Sequence, residues 1–163
     1  MHGDVVGLVH SILIETGLAP GRLELEITEG VLIEDFDRGL ALLRRLKALG
    51  VRISMDDFGS GYSSLSYLQA FPFDKIKIDR AFIINLGRNP QSAAIVRAVI
   101  DLGHGLEMSI IAEGVETLDQ LAFLAKEGCD GVQGYLLGKP LPIGKYAGLV
   151  GRAEAMELAL KTG

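Results

Sequence analysis

The stretch VRISMDDFGSG, residues 51–61, is an apolar run that ends on two adjacent aspartates and then turns through two glycines. Alternating apolar residues bounded by glycine, here Gly50 and Gly59, are typical of a β-strand. Runs of similar character recur along the chain. We therefore expect five strands, at Leu23–Thr28, Val51–Asp57, Phe73–Asp79, Ser109–Val115 and Gly131–Leu136.

Segments with helical periodicity separate these strands. Asn89 before Pro90 favours a helix N-terminus, and Thr117 followed by Gln120 has the form of a capping box. The helices are expected at Val5–Thr16, Phe36–Leu49, Pro90–Leu102 and Thr117–Gly128, and they should end at Gly17, Gly50, Gly103 and Gly128.

Strands that alternate with helices indicate an α/β protein with parallel strands joined by crossovers. Two arrangements remain open, a doubly wound open sheet and a (β/α) barrel. The length of 163 residues favours the open sheet, because a complete barrel needs about 250 residues. The dinucleotide-binding motif GxGxxG is absent after the first strand, and the phosphate-binding loop GxxxxGK[ST] is absent as well. These motifs therefore do not help to choose between the two arrangements.

Composition narrows the classes of function. Hydrophobic residues make up 48% of the chain, which permits a sizeable core, and the net charge of −5 argues against a surface for polymeric nucleic acid. Cys129 has no second cysteine to pair with, and we interpret it as a packed residue. No secretory signal and no apolar stretch of membrane-spanning length is seen, so we expect a cytoplasmic protein.

The expected strands end in charged or amide side chains, which in a parallel sheet lie on one face where active sites form. These residues are Glu26, Asp56, Asp57, Lys77, Glu113 and Gln133. Clustered carboxylates repel each other unless a cation lies among them, and oxygen ligands suit Mg²⁺ or Mn²⁺. Adjacent aspartates favour two ions, an arrangement used in phosphoester hydrolysis. We interpret Lys75 and Asp79 as ordinary surface or turn residues.

Five ordered motifs resemble those of the EAL domain family of cyclic di-GMP phosphodiesterases. They are EITE at 26–29, DDFGSGYSSL at 56–65, KID at 77–79, AEGVE at 112–116, and QGY at 133–135 followed by KP at 139–140. The resemblance extends to about Arg152. We therefore expect a partial EAL domain over residues 1–152 and a helical tail without a motif over residues 153–163.

The resemblance implies a TIM-type (β/α) barrel that hydrolyses cyclic di-GMP to linear pGpG with two Mg²⁺ or Mn²⁺ ions. It assigns Lys77, Glu113 and Asp57 to catalysis, with Lys77 holding the attacking water. It makes Glu26 a ligand of the first metal and Asp56 a ligand shared by both. Asp57 then binds the second metal, Glu113 serves that metal or its water, and Gln133 lines the same pocket as a substrate-binding residue. Loop support is assigned to Glu29, Glu116, Gly59 and Gly61.

The chain also departs from the family pattern. The Glu-Ala-Leu segment and a later metal-binding asparagine are not found at their expected places, so we expect about five of eight βα units, an incompletely liganded first metal and weak or no hydrolysis. Such a barrel would have an open apolar core and exposed edges at Leu23–Thr28 and Gly131–Leu136, which favour self-association. The alternatives are a non-catalytic module in second-messenger signalling that binds cyclic di-GMP or a protein, and a fragment with no function of its own.

Overall fold

The computed structural model describes residues 4–28, 36–59 and 65–146. Its strands form one sheet in which every neighbouring pair is parallel and the spatial order follows the sequence. The strands are β1 (Glu24–Thr28), β2 (Arg52–Phe58), β3 (Lys75–Ile78), β4 (Ser109–Glu113) and β5 (Gly131–Gln133). A doubly wound sheet reverses its strand order at a switch point, whereas a barrel adds each strand beside the previous one. The preference for an open sheet drawn from length was wrong.

Helices connect these strands. They are α1 (Val5–Thr16), α2 (Phe36–Ala48), α3 (Leu65–Ala70), α4 (Arg80–Ile84), α5 (Pro90–Gly105) and α6 (Leu118–Lys126), with 3₁₀ turns at Pro20–Arg22 and Ile143–Tyr146. The expected caps are confirmed, because Asn89 accepts from the Gln91 N–H at 2.9 Å and Thr117 forms a capping box with Gln120. Helix α4 was not anticipated. Its N-cap is Asp79, which accepts from the Ala81 N–H.

The expected end of α5 at Gly103 was wrong, since the helix continues to Gly105. A Cβ atom added at Gly103 would collide with the side chain of Ile110 on β4. Gly103 therefore allows helix and sheet to approach closely, and it does not stop the helix.

Four strands are shorter than expected, β3 and β5 by three residues each, β4 by two and β1 by one. β3 begins at Lys75 because the Phe73 N–H already donates to the Phe71 carbonyl, at 2.9 Å, in a tight turn. β5 ends at Gln133 because the chain turns there, and the Leu137 N–H donates to the Gly134 carbonyl at 3.1 Å.

The sheet has an apolar face and a polar face. Ile53, Ile76 and Ile110 are fully buried on the face covered by helices. The alternate residues point the other way, and there Lys75 on β3 forms an ion pair with Glu24 on β1 at 2.6 Å. The face away from the helices therefore carries charged side chains. On α1, Leu8, Ile12 and Ile14 are exposed, and the expectation of an open apolar core stays a prediction.

Among the described strands, β1 and β5 lie at the two edges of the sheet. None of the described helices is long and apolar enough to cross a lipid bilayer. The expected tail at residues 153–163 lies outside the described residues, so the predicted domain boundary stays a prediction.

Candidate active site

Lys77 lies at the centre of the charged cluster. Its Nζ atom is 2.6 Å from Oε1 of Glu113, 2.9 Å from Oε1 of Glu26 and 3.0 Å from Oδ1 of Asp56. These four side chains come from four adjacent strands, and Lys77 is only 6% exposed. Parallel pairing thus brings four of the predicted residues together at one end of the sheet.

The surrounding carboxylates determine the charge state of Lys77. Burial alone lowers the pKa of a lysine, but the three carboxylates of Glu113, Glu26 and Asp56 around the ammonium outweigh burial and raise the pKa of Lys77 above its usual value. Lys77 is therefore a permanent cation at neutral pH, and it partly neutralises the acidic cluster.

A distortion of β2 brings Asp57 to the same cluster. Successive side chains of a regular strand point to opposite faces, but the pairing of β2 with β3 shifts register between Met55 and Phe58. Asp57 also has a left-handed backbone, with φ of 55°. As a result, one carboxylate oxygen from each of Asp56, Asp57 and Glu113 lies within 4.8 Å of the other two.

Crowding of like charges affects Asp57. Burial raises the pKa of its carboxyl group, as do the nearby carboxylates of Asp56 and Asp79, while the ammonium of Lys77 opposes them. A cation added beside Asp57 would relieve this repulsion.

The oxygen cluster fits a hard divalent cation. Oδ1 of Asp56 is buried and receives no hydrogen bond from the described residues, although it forms an ion pair with Lys77. A buried acceptor without a hydrogen bond is costly unless something else satisfies it. Three carboxylates at this spacing are the type of ligand set that Mg²⁺ and Mn²⁺ prefer.

A cavity of about 150 Å³ adjoins the cluster. Its walls share Glu113 with the charged cluster, and they are lined by Arg80, Glu113, Gly114, Glu116, Gln133, Gly134 and Tyr135. Gln133 pairs in register with Glu113, so it lies beside the cluster as expected from the sequence. Sequence reasoning missed Arg80 and Tyr135 as site residues, although they directly follow the KID and QG segments.

The residues expected to support loops can be placed only in part. Gly59 has φ of 93°, and a Cβ atom there would lie 2.9 Å from Cε2 of Phe82, so this turn requires glycine. Glu116 lines the cavity. Glu29 and Gly61 lie outside the described residues.

Comparison with known proteins agrees with this arrangement. The family model described as the EAL domain matches residues 1–140. The chain belongs to the EAL domain family. A relative from Pseudomonas aeruginosa, named bifunctional diguanylate cyclase/cyclic di-GMP phosphodiesterase MucR, is 48% identical over 141 residues, which cover 86% of this chain and 21% of MucR.

Two solved structures of EAL proteins share the fold. The PaMucR phosphodiesterase in complex with c-di-GMP has a TM-score of 0.85 and 46% identity, over 88% of this chain and 58% of that one. The manganese/cy-diGMP complex of Klebsiella pneumoniae BlrP1 has a TM-score of 0.77 and 37% identity, over 83% of this chain and 34% of that one. The five-stranded sheet is thus part of a TIM-type barrel. The chain spans about a fifth of the length of the curated relatives that it matches.

Proposed function

We propose that this EAL domain hydrolyses cyclic di-GMP to linear pGpG with Mg²⁺ or Mn²⁺. The observation that carries the proposal is the convergence of Asp56, Asp57 and Glu113 within 4.8 Å beside the ammonium of Lys77. The cyclic di-GMP complexes of EAL relatives, one of them with manganese, support the same chemistry.

Carboxylates from adjacent strands would hold the cations. Asp56 is suited to a shared position, because its Oδ1 atom receives no hydrogen bond from the described residues and Asp57 follows it directly. Asp57 and Glu113 would serve one ion, and Glu26 the other. When bound, divalent cations supply positive charge that stabilises the phosphate oxygens during hydrolysis.

Lys77 would orient the water that attacks phosphorus. Its ammonium is held from three sides by carboxylates, so its position is fixed before substrate binds. Water adds to one phosphorus atom, the bond from that phosphorus to the 3′ oxygen breaks, and the 3′ oxygen leaves as a hydroxyl after taking up a proton. The product is a linear dinucleotide that keeps a 5′ phosphate.

The cavity beside Glu113 would receive part of the dinucleotide. Gln133 offers an amide donor and acceptor, which suit the polar edge of a guanine base. Tyr135 presents an aromatic ring at the same wall, with 58% of the residue exposed. Glu29, Glu116, Gly59 and Gly61 keep their proposed supporting role, as in the family.

The test is to incubate the purified 163-residue chain with cyclic di-GMP and Mn²⁺ and to quantify pGpG by chromatography. Asp56→Asn is the inactivating variant. Asp130→Asn is the matched control, because it makes the same chemical change at the start of β5, away from Lys77. Turnover that is lost only in Asp56→Asn supports the proposal.

Turnover that survives Asp56→Asn would refute the proposed site. Tight binding of cyclic di-GMP without turnover would instead support the non-catalytic binding module. The expectation that hydrolysis is weak in these 163 residues stays a prediction, which the absolute rate in this assay tests.

A further inference from the structure

Gln120, on α6, is one of the few polar residues that are almost fully buried, with 8% of its surface exposed. Its Oε1 atom accepts from the backbone N–H groups of Glu116 at 2.8 Å and Thr117 at 3.0 Å. Its Nε2 atom donates to the backbone carbonyl of Ile83, at 3.1 Å and 37 residues away along the chain. One side chain therefore joins the start of α6 to α4.

The hydrogen bond to Ile83 is more than helix capping requires. A capping box needs only an acceptor at this position, and glutamate serves as well as glutamine. The amide group of Gln120 adds a donor, and that donor reaches α4, which begins directly after the KID segment. The contribution of this donor can therefore be tested separately from the capping of α6.

The two segments joined by Gln120 form walls of the cavity beside Glu113. Arg80 opens α4, Glu116 precedes α6, and both line that cavity. Between them, Gly114 has φ of 70°, and a Cβ atom there would lie 2.5 Å from Cβ of Arg80. The two loops are therefore in close contact beside the cavity.

A third loop is tied to the same segment. The Val115 N–H donates to the Gln133 carbonyl at 3.1 Å, and the Leu136 N–H donates to the Val115 carbonyl at 3.0 Å. Gly134 packs directly against the backbone of Val115. The position of residues 114–116 thus also fixes the wall that carries Gln133.

We infer that Gln120 is a positioning residue that ties residues 114–116 to α4 and so sets the shape of the ligand cavity. This inference rests on the proposed function for the identity of the ligand, cyclic di-GMP. Lys77, Asp56 and Glu113 are held by strand pairing and by their own ion pairs, independently of Gln120. Loss of the bond to Ile83 should therefore weaken binding of the dinucleotide and leave the reacting groups in place.

The experiment compares three variants of the 163-residue chain. Gln120→Glu keeps the acceptor that caps α6 but loses the donor to Ile83, and Gln120→Met loses both. Thr117→Ala is the control, because it removes the hydroxyl that accepts from the Gln120 N–H and leaves the Ile83 bond intact. Each variant is tested by hydrogen exchange of residues 80–86 and 114–117 and by calorimetric titration with cyclic di-GMP in the presence of Ca²⁺. Its kcat and KM are also measured.

We expect hydrogen exchange in residues 80–86 to be faster in both Gln120 variants. Their Kd and KM should rise about five- to tenfold, which is the effect of losing one buried hydrogen bond. Their kcat should change by less than about twofold. Thr117→Ala should speed exchange only around the start of α6. Unchanged exchange in residues 80–86 of both Gln120 variants would overturn the inference, whether or not the chain binds cyclic di-GMP. Absence of ligand binding by the parent chain would count against the proposed function alone.

Discussion

Nζ of Lys77 lies 2.6 Å from Oε1 of Glu113, although the two residues are not partners in the ladder between β3 and β4. Lys77 pairs with Ile111, and Glu113 lies two residues further along β4 on the same face. The long lysine side chain therefore reaches the layer of carboxylates at the carboxyl ends of the strands. This offset makes Lys77 both buried and close to the atoms proposed to react.

Replacing Lys77 with methionine should lower kcat by about 100-fold or more, as for loss of a positioned polar group at a reacting centre. Lys75→Met is the matched control. It removes an ammonium from the same face of the same strand, but that ammonium pairs with Glu24 and lies outside the carboxylate cluster. The measurement is pGpG formation at saturating Mn²⁺. Equal losses in the two variants would contradict a specific role for Lys77.

Mn²⁺ should raise the melting temperature of the chain. An Mn²⁺ concentration of about 100 times Kd stabilises the folded state by about 2.7 kcal/mol, which raises the melting temperature of a domain of this size by roughly 5–10 °C. Glu113→Gln should reduce the shift by more than half, because it removes one charge from the oxygen cluster. Glu127→Gln is the control, since its side chain is equally exposed, at 20%, but pairs with Arg97. Differential scanning fluorimetry measures both, and a full shift in Glu113→Gln would contradict a role for the Glu113 charge in binding the ion.

Asp130 should stabilise the protein in a pH-dependent way. Partial burial raises its pKa, but the hydrogen bond from the Ile110 N–H and the adjacent His104 ring outweigh burial and lower the pKa below its usual value of 3.8. A carboxyl group with a lowered folded-state pKa stabilises the fold above its unfolded-state pKa, and that stabilisation is lost as pH falls through the folded-state value.

Asp130→Asn should therefore lower the free energy of unfolding at pH 7 by about 1 kcal/mol, a modest value because the Asp130 side chain is 43% exposed. Urea unfolding from pH 7 down to pH 3 checks this, and the difference from the parent chain should shrink below about pH 4. Asp101→Asn, at an exposed position on α5, should show no such trend. A difference that is constant with pH would contradict the argument.

Two glycines of α5 should respond oppositely to alanine. Gly103→Ala should lower the free energy of unfolding by about 1–3 kcal/mol, because the new methyl group collides with the fully buried side chain of Ile110. The new methyl group of Gly105→Ala meets no atom of the described residues outside its own helix within 4 Å, so this variant should be neutral or stabilise by up to about 1 kcal/mol. Chemical denaturation of both variants measures this. A stabilised Gly103→Ala would show that Ile110 yields at little cost.

Self-association through the strands at the edges of the described sheet stays a prediction. Within the described part of the chain, β1 and β5 each have a neighbouring strand on one side. The unpaired backbone groups of such an edge strand can pair with a strand of another molecule. Light scattering should give a mass that rises above 17.5 kDa with concentration. A sharp monomer peak at all concentrations would refute the prediction.

Much of the fold follows from local sequence rules. The strands and the principal helices were predicted from apolar periodicity, and Asn89 and Thr117 were recognised as helix caps because capping depends on residues only a few positions apart. Gly103 was wrongly predicted to end α5, because the requirement for glycine at this position comes from a tertiary contact. A glycine that admits Ile110 from another element looks the same in the sequence as one that ends a helix.

The candidate site was predictable to the level of residue type and strand position. Glu26, Asp56, Lys77 and Glu113 end up together because parallel strands share their carboxyl ends. The left-handed backbone of Asp57, which places it with Asp56, depends on a register shift between two strands and has no local signature. The hydrogen bond from Gln120 to Ile83 joins residues 37 positions apart. The capping motif therefore predicts that Gln120 caps α6, but it does not predict this bond.

The spatial order of the strands also affects how the chain acquires its structure. Each described strand pairs with the one that follows it in the sequence, so every pairing closes over one crossover connection, and the connection from β3 to β4 contains the two helices α4 and α5. Pairing between sequence neighbours keeps each closure as short as a parallel sheet allows, because a parallel pair needs a crossover connection of about a dozen residues or more. The strands can therefore pair in the order in which the ribosome delivers them. In that order the carboxylates of Glu26 and Asp56 would come together first, and the ammonium of Lys77 would join them when β3 pairs with β2.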